Sequence, residues 1–585
     1  MENWVIKNKK ANFERIMQSC NVSEVMARCL VNKGLEEPEE IEAFLNPDIR
    51  NLHNPLLMKD MKKAMEILCD KIQSGKKIRI IGDYDVDGVI ATYVLYRTLI
   101  KIGANVDYDI PDRIKDGYGI NSNMVEKARE DLVDTLLTCD NGIAAIEQVL
   151  LAKKYGMTVI ITDHHSLVTR EDGEVVLPEA DAILNPKQPD CNYPFKGLCG
   201  AAIAYKLMDV LLKYLNIPEK VTYEDELLSF LAIATVCDVM DLIDENRIIV
   251  KHGLLQLNRT QNKGLLALID ACQIEKEQLM AFHLGYIIGP CLNASGRLGT
   301  AKKGMELLLA KTREEAVKLA SEVKALNDIR KDMTAENVEK AVQLIEEGNL
   351  HNDKILVAYL QDCHESIAGI IAGRIKERFH KPTVILTDAE GTVKGSARSI
   401  EQYNMIEELS KCRDLLIKVG GHPMAAGLSL MSSNIDILRQ RLNDNTTLTD
   451  EMLIPKIAID ILLPIGYIAE PLILELKKLE PFGKGNEKPL FAEKAVKIKS
   501  AFIIGKTACG IKFRVENQYG REMEAMYFGD VEAFFSYIEE TYGEKEAEKL
   551  KTGRSPEVPL TITYSPRINE YNGFKNIQLM IQNYR

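Results

Sequence analysis

The chain has 585 residues, too many for one hydrophobic core, and length alone leads to an expectation of about three to five domains. Hydrophobic residues make up 46% and charged residues 27%, an ordinary globular balance, and no apolar run approaches the ~18 residues needed to cross a bilayer. A net charge of −12 argues against a protein that coats nucleic acid by bulk charge, though not against a narrow channel with its own Arg and Lys.

The first stretch, "MENWVIKNKKANFERIMQSC", has no apolar segment followed by a small-residue cleavage site, so no secretory signal is expected. Twelve cysteines are scattered without a C-x-x-C pair. That usage fits a reduced compartment and argues against a disulfide framework or a structural zinc site. A cytoplasmic location follows as the expectation.

Residues 1–50 read as short helices, "NVSEVMARCLVNKG" and "EEPEEIEAFLNP", with Gly and Pro stops. Residues 51–250 alternate short β-branched runs with helical segments. The strands expected there are "KKIRIIG", "NVDYDIP", "DTLLTCD", "MTVIITD" and "DAILNP", which predicts βαβ units and a doubly wound parallel sheet. Residues 251–345 are a helical linker dominated by a long charged amphipathic segment that stops at Gly348. Strand–helix alternation resumes at "DKILVAYL", giving a second α/β domain over 346–450. Residues 451–585 change texture to five strands with one intervening helix, the pattern of a small OB-type Greek-key barrel. The stretch "SAFIIGKT" ends like a phosphate-binding loop but has Ser500 where the first Gly is required, and it reads as strand.

Acids and histidines fall where the strands of the first domain end. "IRIIG" runs into Asp83, Asp85 and Asp87, "DTLLT" into Asp140, "TVIIT" into Asp163-His164-His165, and "FLAIATVC" into Asp238. In an open parallel sheet, ligands bind outside the carboxyl ends of the strands, so one crevice would collect all four groups. Carboxylates with one or two imidazoles suit Mn²⁺ or Mg²⁺ rather than thiophilic metals. Five or six such ligands exceed the needs of one ion and suit two ions about 3.5–4 Å apart, with a carboxylate such as Asp140 between them. The chemistry implied is hydrolysis of a phosphate ester or anhydride.

In order and spacing, "DYDVDG", "CDNG", "TDHH" and "VCDVMDL" resemble the successive motifs of the DHH phosphoesterase family, and "GSARS" and "GGHPMAAG" resemble its associated C-terminal domain. "ARCLVNKG…FLNPDIRNLHNP", "LNASGRL" and "LEPFGKGNEKPLF" are similar to the N-terminal helices, middle motif and OB entry of the family's single-strand-specific DNA exonucleases. The resemblance covers essentially the whole chain. It implies a DHH domain over 51–250, a DHH-associated domain that clamps substrate over 346–450, and a nucleic-acid-binding OB domain over 451–585.

The resemblance implies that Asp83, Asp85, Asp87, Asp140, His164 and Asp238 form the site for two divalent cations, Mn²⁺ or Mg²⁺, with Asp83 either a direct ligand or a support behind Asp85 and Asp87. His165 would touch the scissile phosphate and, with Asp140, serve catalysis. His422 would approach the same phosphate from the second α/β domain. Arg113, Asn293, Arg297, Ser396 and Arg398 would hold the DNA backbone and its terminal 5′-phosphate. The activity implied is 5′-to-3′ exonucleolytic release of mononucleotides from single-stranded DNA in recombination and repair. By family only, single-strand-binding protein and a repair helicase are implied as partners, and a monomer is expected. Two departures stand out: Cys291 occupies a position where a basic residue is expected, and "CHESIAGI" has Cys363 for an aromatic residue and Ser366 for a glycine. The rival readings are a DHH phosphoesterase on short oligonucleotides or small phosphorylated nucleotides, and a non-catalytic replication scaffold.

Overall fold

The structure is a computed structural model that describes residues 2–170, 173–217, 224–389, 391–505, 509–554, 558–571 and 573–585. All five expected strands of the first α/β region form. Val106–Asp109, Ile78–Ile81, Thr135–Cys139, Thr158–Thr162 and Ala182–Leu184 lie side by side in that order, all parallel. Alternate residues face opposite sides of the sheet. Ile78, Ile80, Leu137 and Ile160 join the core on one side, while Ile81, Leu136, Val159 and Ile161 join the core on the other. Helices cover both faces, so the sheet is doubly wound.

One element differs from expectation. "FLAIATVC" is not a strand but the end of the helix Glu224–Cys237, so Asp238 reaches the site from a helix terminus and not from the sheet. The run is buried whichever way it folds, and a short apolar run does not separate strand from helix by periodicity.

The helix Arg313–Glu347 has 35 residues, or about 52 Å at 1.5 Å per residue. Thr312 caps its start and Gly348 its end. Ala316, Ala320 and Val323 in its first half belong to the core of the first α/β region, and Ala341, Val342 and Ile345 pack with Leu356, Ile367 and Ile371 of the second. The second sheet runs Leu416–His422, Ala425–Leu430, Thr392–Arg398, Thr383–Ala389 and Leu356–Tyr359 in spatial order.

Residues 49–455 form one compact unit, and residues 1–48 with 456–585 form another. In the latter, Phe491–Ile504, Gly510–Glu516, Glu522–Tyr527, Phe574–Tyr584 and Pro559–Tyr571 pair in sequence around a closed barrel, the last pairing with the first. Glu522–Tyr527 and Phe574–Tyr584 are parallel, the others antiparallel. Where one helix was expected before the last two strands there are two, Val531–Tyr542 and Glu544–Lys551, broken at Gly543 with φ 91°. "SAFIIG" is strand through Ile504, and Lys506 and Thr507 lie outside the described residues. Three helices, Phe13–Cys20, Glu24–Asn32 and Pro38–Leu45, pack on the barrel unit, and a strand not anticipated from sequence, Asn3–Ile6, pairs in parallel with Lys456–Ile459.

Candidate metal centre

The stretch Gly82–Asp87 turns from the strand Ile78–Ile81 into the helix Val86–Lys101. Asp85 is its N-cap, accepting from the Gly88 N–H at 3.0 Å. Asp87, in the first turn of that helix, accepts from the Gly200 N–H at 2.6 Å and the Ala201 N–H at 2.9 Å, at the positive end of the helix Gly200–Tyr214. Asp83 is fully buried: Oδ1 accepts from the Gly119 N–H at 3.2 Å, and Oδ2 has no hydrogen-bond partner.

Asp140 follows the strand Thr135–Cys139 in the left-handed region, φ 60°, a costly conformation for a non-glycine residue. Two neighbours fix it there. Asn141 donates from Nδ2 to the carbonyls of Ile81 and Cys139 at 3.0 and 2.9 Å, stitching adjacent strand ends together. Gly200 leaves room, since a Cβ there would stand 2.7 Å from Asp140 Cβ and 2.9 Å from its Cα. Asp140 Oδ1 is left without a hydrogen-bond partner.

His164 Nε2 lies 3.0 Å from Asp140 Oδ1, 3.5 Å from Asp238 Oδ2 and 3.7 Å from Asp87 Oδ2. Three triplets of potential ligand atoms each gather within 4.8 Å: Asp83–Asp85–Asp140 and Asp87–His164–Asp238 are joined by the Asp140–His164 contact, and the third is Asp140–His164–His165. Asp83 Oδ2, Asp140 Oδ1, Asp238 Oδ2 and both ring nitrogens of His164 are buried and without hydrogen-bond partners. Unpaired buried acceptors at this density are costly unless a cation satisfies them. Burial, then repulsion from neighbouring acids, raises Asp83 to about 8, Asp87 to about 6 and Asp238 to about 9, and drives Asp140 up as well. Burial, with His165 adding to it, lowers His164 to about 3, so its ring is neutral and free to ligate. An oxygen-rich set with one neutral imidazole fits Mn²⁺ or Mg²⁺.

His165 is held differently. Asp163 Oδ1 accepts from His165 Nδ1 at 2.8 Å and from the N–H groups of His164 and His165 at 2.7 and 3.0 Å, while Oδ2 accepts from the Ile143 N–H at 2.8 Å. Burial alone would lower His165, but the hydrogen bond and charge of Asp163 raise it to about 9, which keeps the ring cationic at neutral pH. The Tyr118 hydroxyl donates to the Asp140 carbonyl at 2.7 Å and stands 3.0 Å from His165 Nδ1. Asp163, Asn141 and Tyr118 were given no role by the sequence reading, although each lies inside a stretch it singled out. Gly200 and Ala201 act through backbone N–H groups, which carry no sequence signal.

The expected substrate contacts fall into two places. Arg113 places its guanidinium 4.0 Å from the Tyr84 ring centroid, next to the acid cluster. Arg297 donates to the Ser366 carbonyl at 2.6 Å, linking the helix Gly289–Leu298 to the start of the helix Glu365–Phe379. Burial, then Arg113 and Arg330, lowers Arg297 to about 9, against the opposing pull of Asp85 and Tyr84. Asn293 Oδ1 and Arg113 Nε are buried without partners. Ser396 and Arg398 share the strand Thr392–Arg398 and approach Gly369 of the facing helix, where a Cβ would stand 3.0 Å from Ser396 Oγ and 2.9 Å from Arg398 Nη2. His422 ends the strand Leu416–His422, exposed, opposite Ala425 across a hairpin, and none of its described contacts reaches the acid cluster. Of the departures, Cys291 is buried beside Cys272 and Asn327, and Ser366 forms a cap with His364, Oγ to Nδ1 at 2.7 Å.

The family model for the DHH family, N-terminal domain, matches residues 77–235, that for the DHHA1 domain 352–447, and that for the RecJ OB domain 459–583. The chain is 36% identical to the single-stranded-DNA-specific exonuclease RecJ of Bacillus subtilis over 572 residues, covering 97% of this chain and 68% of that one. It is 33% identical to the Escherichia coli RecJ over 488 residues, covering 80% and 82%, and 30% identical to the Haemophilus influenzae RecJ, covering 92% of each. Among solved structures it matches RecJ from Thermus thermophilus in complex with Mn²⁺, with TM-score 0.82, 25% identity and coverage of 100% of this chain and 79% of that one. It also matches an exonuclease RecJ bound to manganese, with TM-score 0.58, 29% identity and coverage of 68% and 96%.

Proposed function

The chain belongs to the RecJ family of DHH phosphoesterases, and from that premise we propose that it removes nucleotides from the 5′ end of single-stranded DNA at a pair of divalent cations. It is a single-stranded-DNA-specific exonuclease that works with Mn²⁺ or Mg²⁺. The observation that carries the reading is the pair of ligand triplets joined through Asp140 and His164, with their unpartnered buried oxygens and nitrogens.

Asp83, Asp85, Asp87, Asp140, His164 and Asp238 hold the cations, and Asp83 can ligate through Oδ2 while Oδ1 stays on Gly119. A bound cation pair lowers the pKa of water and neutralises charge on a phosphoryl group. His165, kept protonated by Asp163, donates to the oxygen on which charge develops. Arg113 and Arg297 place the backbone beside the acid cluster, Asn293 adds a polar contact, and Ser396 with Arg398 receives the terminal 5′-phosphate, where a guanidinium fork pairs bidentately. His422 approaches the same phosphate from its hairpin. The barrel guides the strand by stacking and backbone contacts, each stacked base contributing about 1–3 kcal/mol. In this reading the enzyme works as a cytoplasmic monomer, on strands exposed by a repair helicase and covered by single-strand-binding protein. No helix among the described residues is long and apolar enough to cross a membrane.

Digestion of 5′- and 3′-labelled DNA, single- and double-stranded, with Mn²⁺, Mg²⁺ or chelator tests this. We expect release of mononucleotides from the 5′ end of single strands only, and none with chelator. Equal attack on both ends, attack on blunt duplex, or preference for dinucleotides over longer strands would overturn the reading.

A further inference from the structure

Cys272 caps the C-terminus of the helix Lys263–Ala271, and Cys291 lies in the helix Gly289–Leu298, two residues before Asn293. Their sulfurs are 3.7 Å apart. Among the described residues no other two cysteine sulfurs share a hydrogen bond. Cys291 is buried and Cys272 is partly open to solvent. The long helix covers the pair with Lys324, Asn327 and Lys331, which share one face at helical spacing. Asn327 Nδ2 donates to Cys291 Sγ at 3.2 Å, and Asn327 Oδ1 accepts from Arg330 Nε at 3.0 Å. The hydrogen bond from Cys291 lowers the Cys272 pKa against the effect of burial; Lys324 and Lys331 lower it further, and Asp328 opposes them. Cys291 is pushed the other way by the same bond, so it keeps its proton. The pair therefore sets a partly open sulfur, more easily deprotonated than an ordinary thiol, in contact with a buried thiol, the arrangement of an attacking and a resolving cysteine.

We propose that Cys272 and Cys291 form a reversible intrachain disulfide when the chain meets hydrogen peroxide, and that this bond weakens the grip of the Arg297–Arg330 region on the DNA backbone. The second half rests on the exonuclease reading above. The Cys272 thiolate attacks one peroxide oxygen and the O–O bond breaks, giving a sulfenic acid on Cys272 and hydroxide, which takes up a proton to become water. The Cys291 sulfur then attacks the Cys272 sulfur, the S–OH bond breaks, and the hydroxyl leaves as water with the Cys291 proton. Two thiols lose two electrons in all, and one peroxide becomes two waters.

Closing the sulfurs from 3.7 Å to a bond of about 2.05 Å draws Cys291 away from Asn327. Asn327 is fully buried and must find another acceptor, which disturbs the carbonyl oxygen that orients Arg330. Arg330 in turn acts electrostatically on Arg297. Cys291 stands where the resemblance leads one to expect a basic residue, so the device belongs to this chain rather than to the shared catalytic plan.

The test treats the full Mn²⁺-loaded chain with hydrogen peroxide, blocks free thiols, and maps linked peptides by mass. We expect a Cys272–Cys291 link, two hydrogens lighter, that dithiothreitol reverses and that Cys272→Ser lacks, with untreated Cys272→Ser matching wild type in activity. In the oxidised wild type, KM for 5′-phosphorylated single-stranded DNA rises roughly five- to tenfold, about the worth of one hydrogen bond, with kcat little changed. Absence of the link, or a link with unchanged KM, overturns the proposal. Failure of the exonuclease reading looks different: the reduced chain would digest no DNA while the link still formed.

Discussion

Asp83, Asp87 and Asp238 are raised to about 8, 6 and 9 by burial and mutual repulsion, against an ordinary carboxylate value of about 3.9. A folded state that holds extra protons draws stability from them below about pH 4 and loses it as pH rises through these values. The melting temperature of the chelated protein should therefore fall as pH rises from about 4 to 9, and the stabilisation by Mn²⁺ should grow over the same range. A stabilisation that shrinks with rising pH would contradict this account. His165 gives the second prediction at this scale. Asp163→Asn removes the charge that raises His165 to about 9, so the alkaline limb of kcat/KM should move down by at least one pH unit. His165→Ala should lower kcat by about 10²- to 10³-fold, the usual loss for one transition-state donor. The candidate ligands Asp83, Asp85, Asp87, Asp140 and His164 were legible because they follow strand ends, whereas Asp238 follows the helix Glu224–Cys237. Their supports were not: the Asn141 amide, the Tyr118 hydroxyl and the N–H groups of Gly200 and Ala201 work through geometry that only the folded backbone supplies.

Among the elements, the helix Gly200–Tyr214 does the most positioning, because its first two N–H groups bind Asp87 while its first residue touches Asp140. Gly200→Ala puts a methyl group against the Asp140 backbone, and it should destabilise by about 1–3 kcal/mol through overpacking. Activity should be lost along with it, measured by denaturant melts and nuclease assay. Unchanged Mn²⁺ affinity in that variant would count against a role for Asp140 placement. The five parallel strands were readable from β-branched runs alternating with helical periods, since both signals are local. "FLAIATVC" was not, because a segment buried on all sides erases the periodicity that distinguishes a helix. The break at Gly543 was similarly hidden inside a continuous amphipathic pattern.

At the scale of the whole molecule, the segment before residue 49 belongs with the barrel that follows residue 455. Met26, Leu30, Val31 and Ile41 are each fully buried in the same core as Phe491, Phe513 and Phe534. Composition marks both stretches but not their union, which is a contact between segments far apart in sequence. Deleting residues 2–48 strips several side chains worth about 1.5–3 kcal/mol each from that core, so the barrel transition in calorimetry should fall by roughly 10 °C or more. The site in the other unit should keep its Mn²⁺ affinity. The claim on which the rest depends is that the acid cluster holds a cation pair through Asp140. Equilibrium Mn²⁺ binding to wild type and Asp140→Ala tests it most directly. The account predicts two ions bound per wild-type chain, loss of at least one in Asp140→Ala, and no exonuclease activity in the variant. Two ions bound equally well with Asp140 removed, or activity that persists without them, would contradict it.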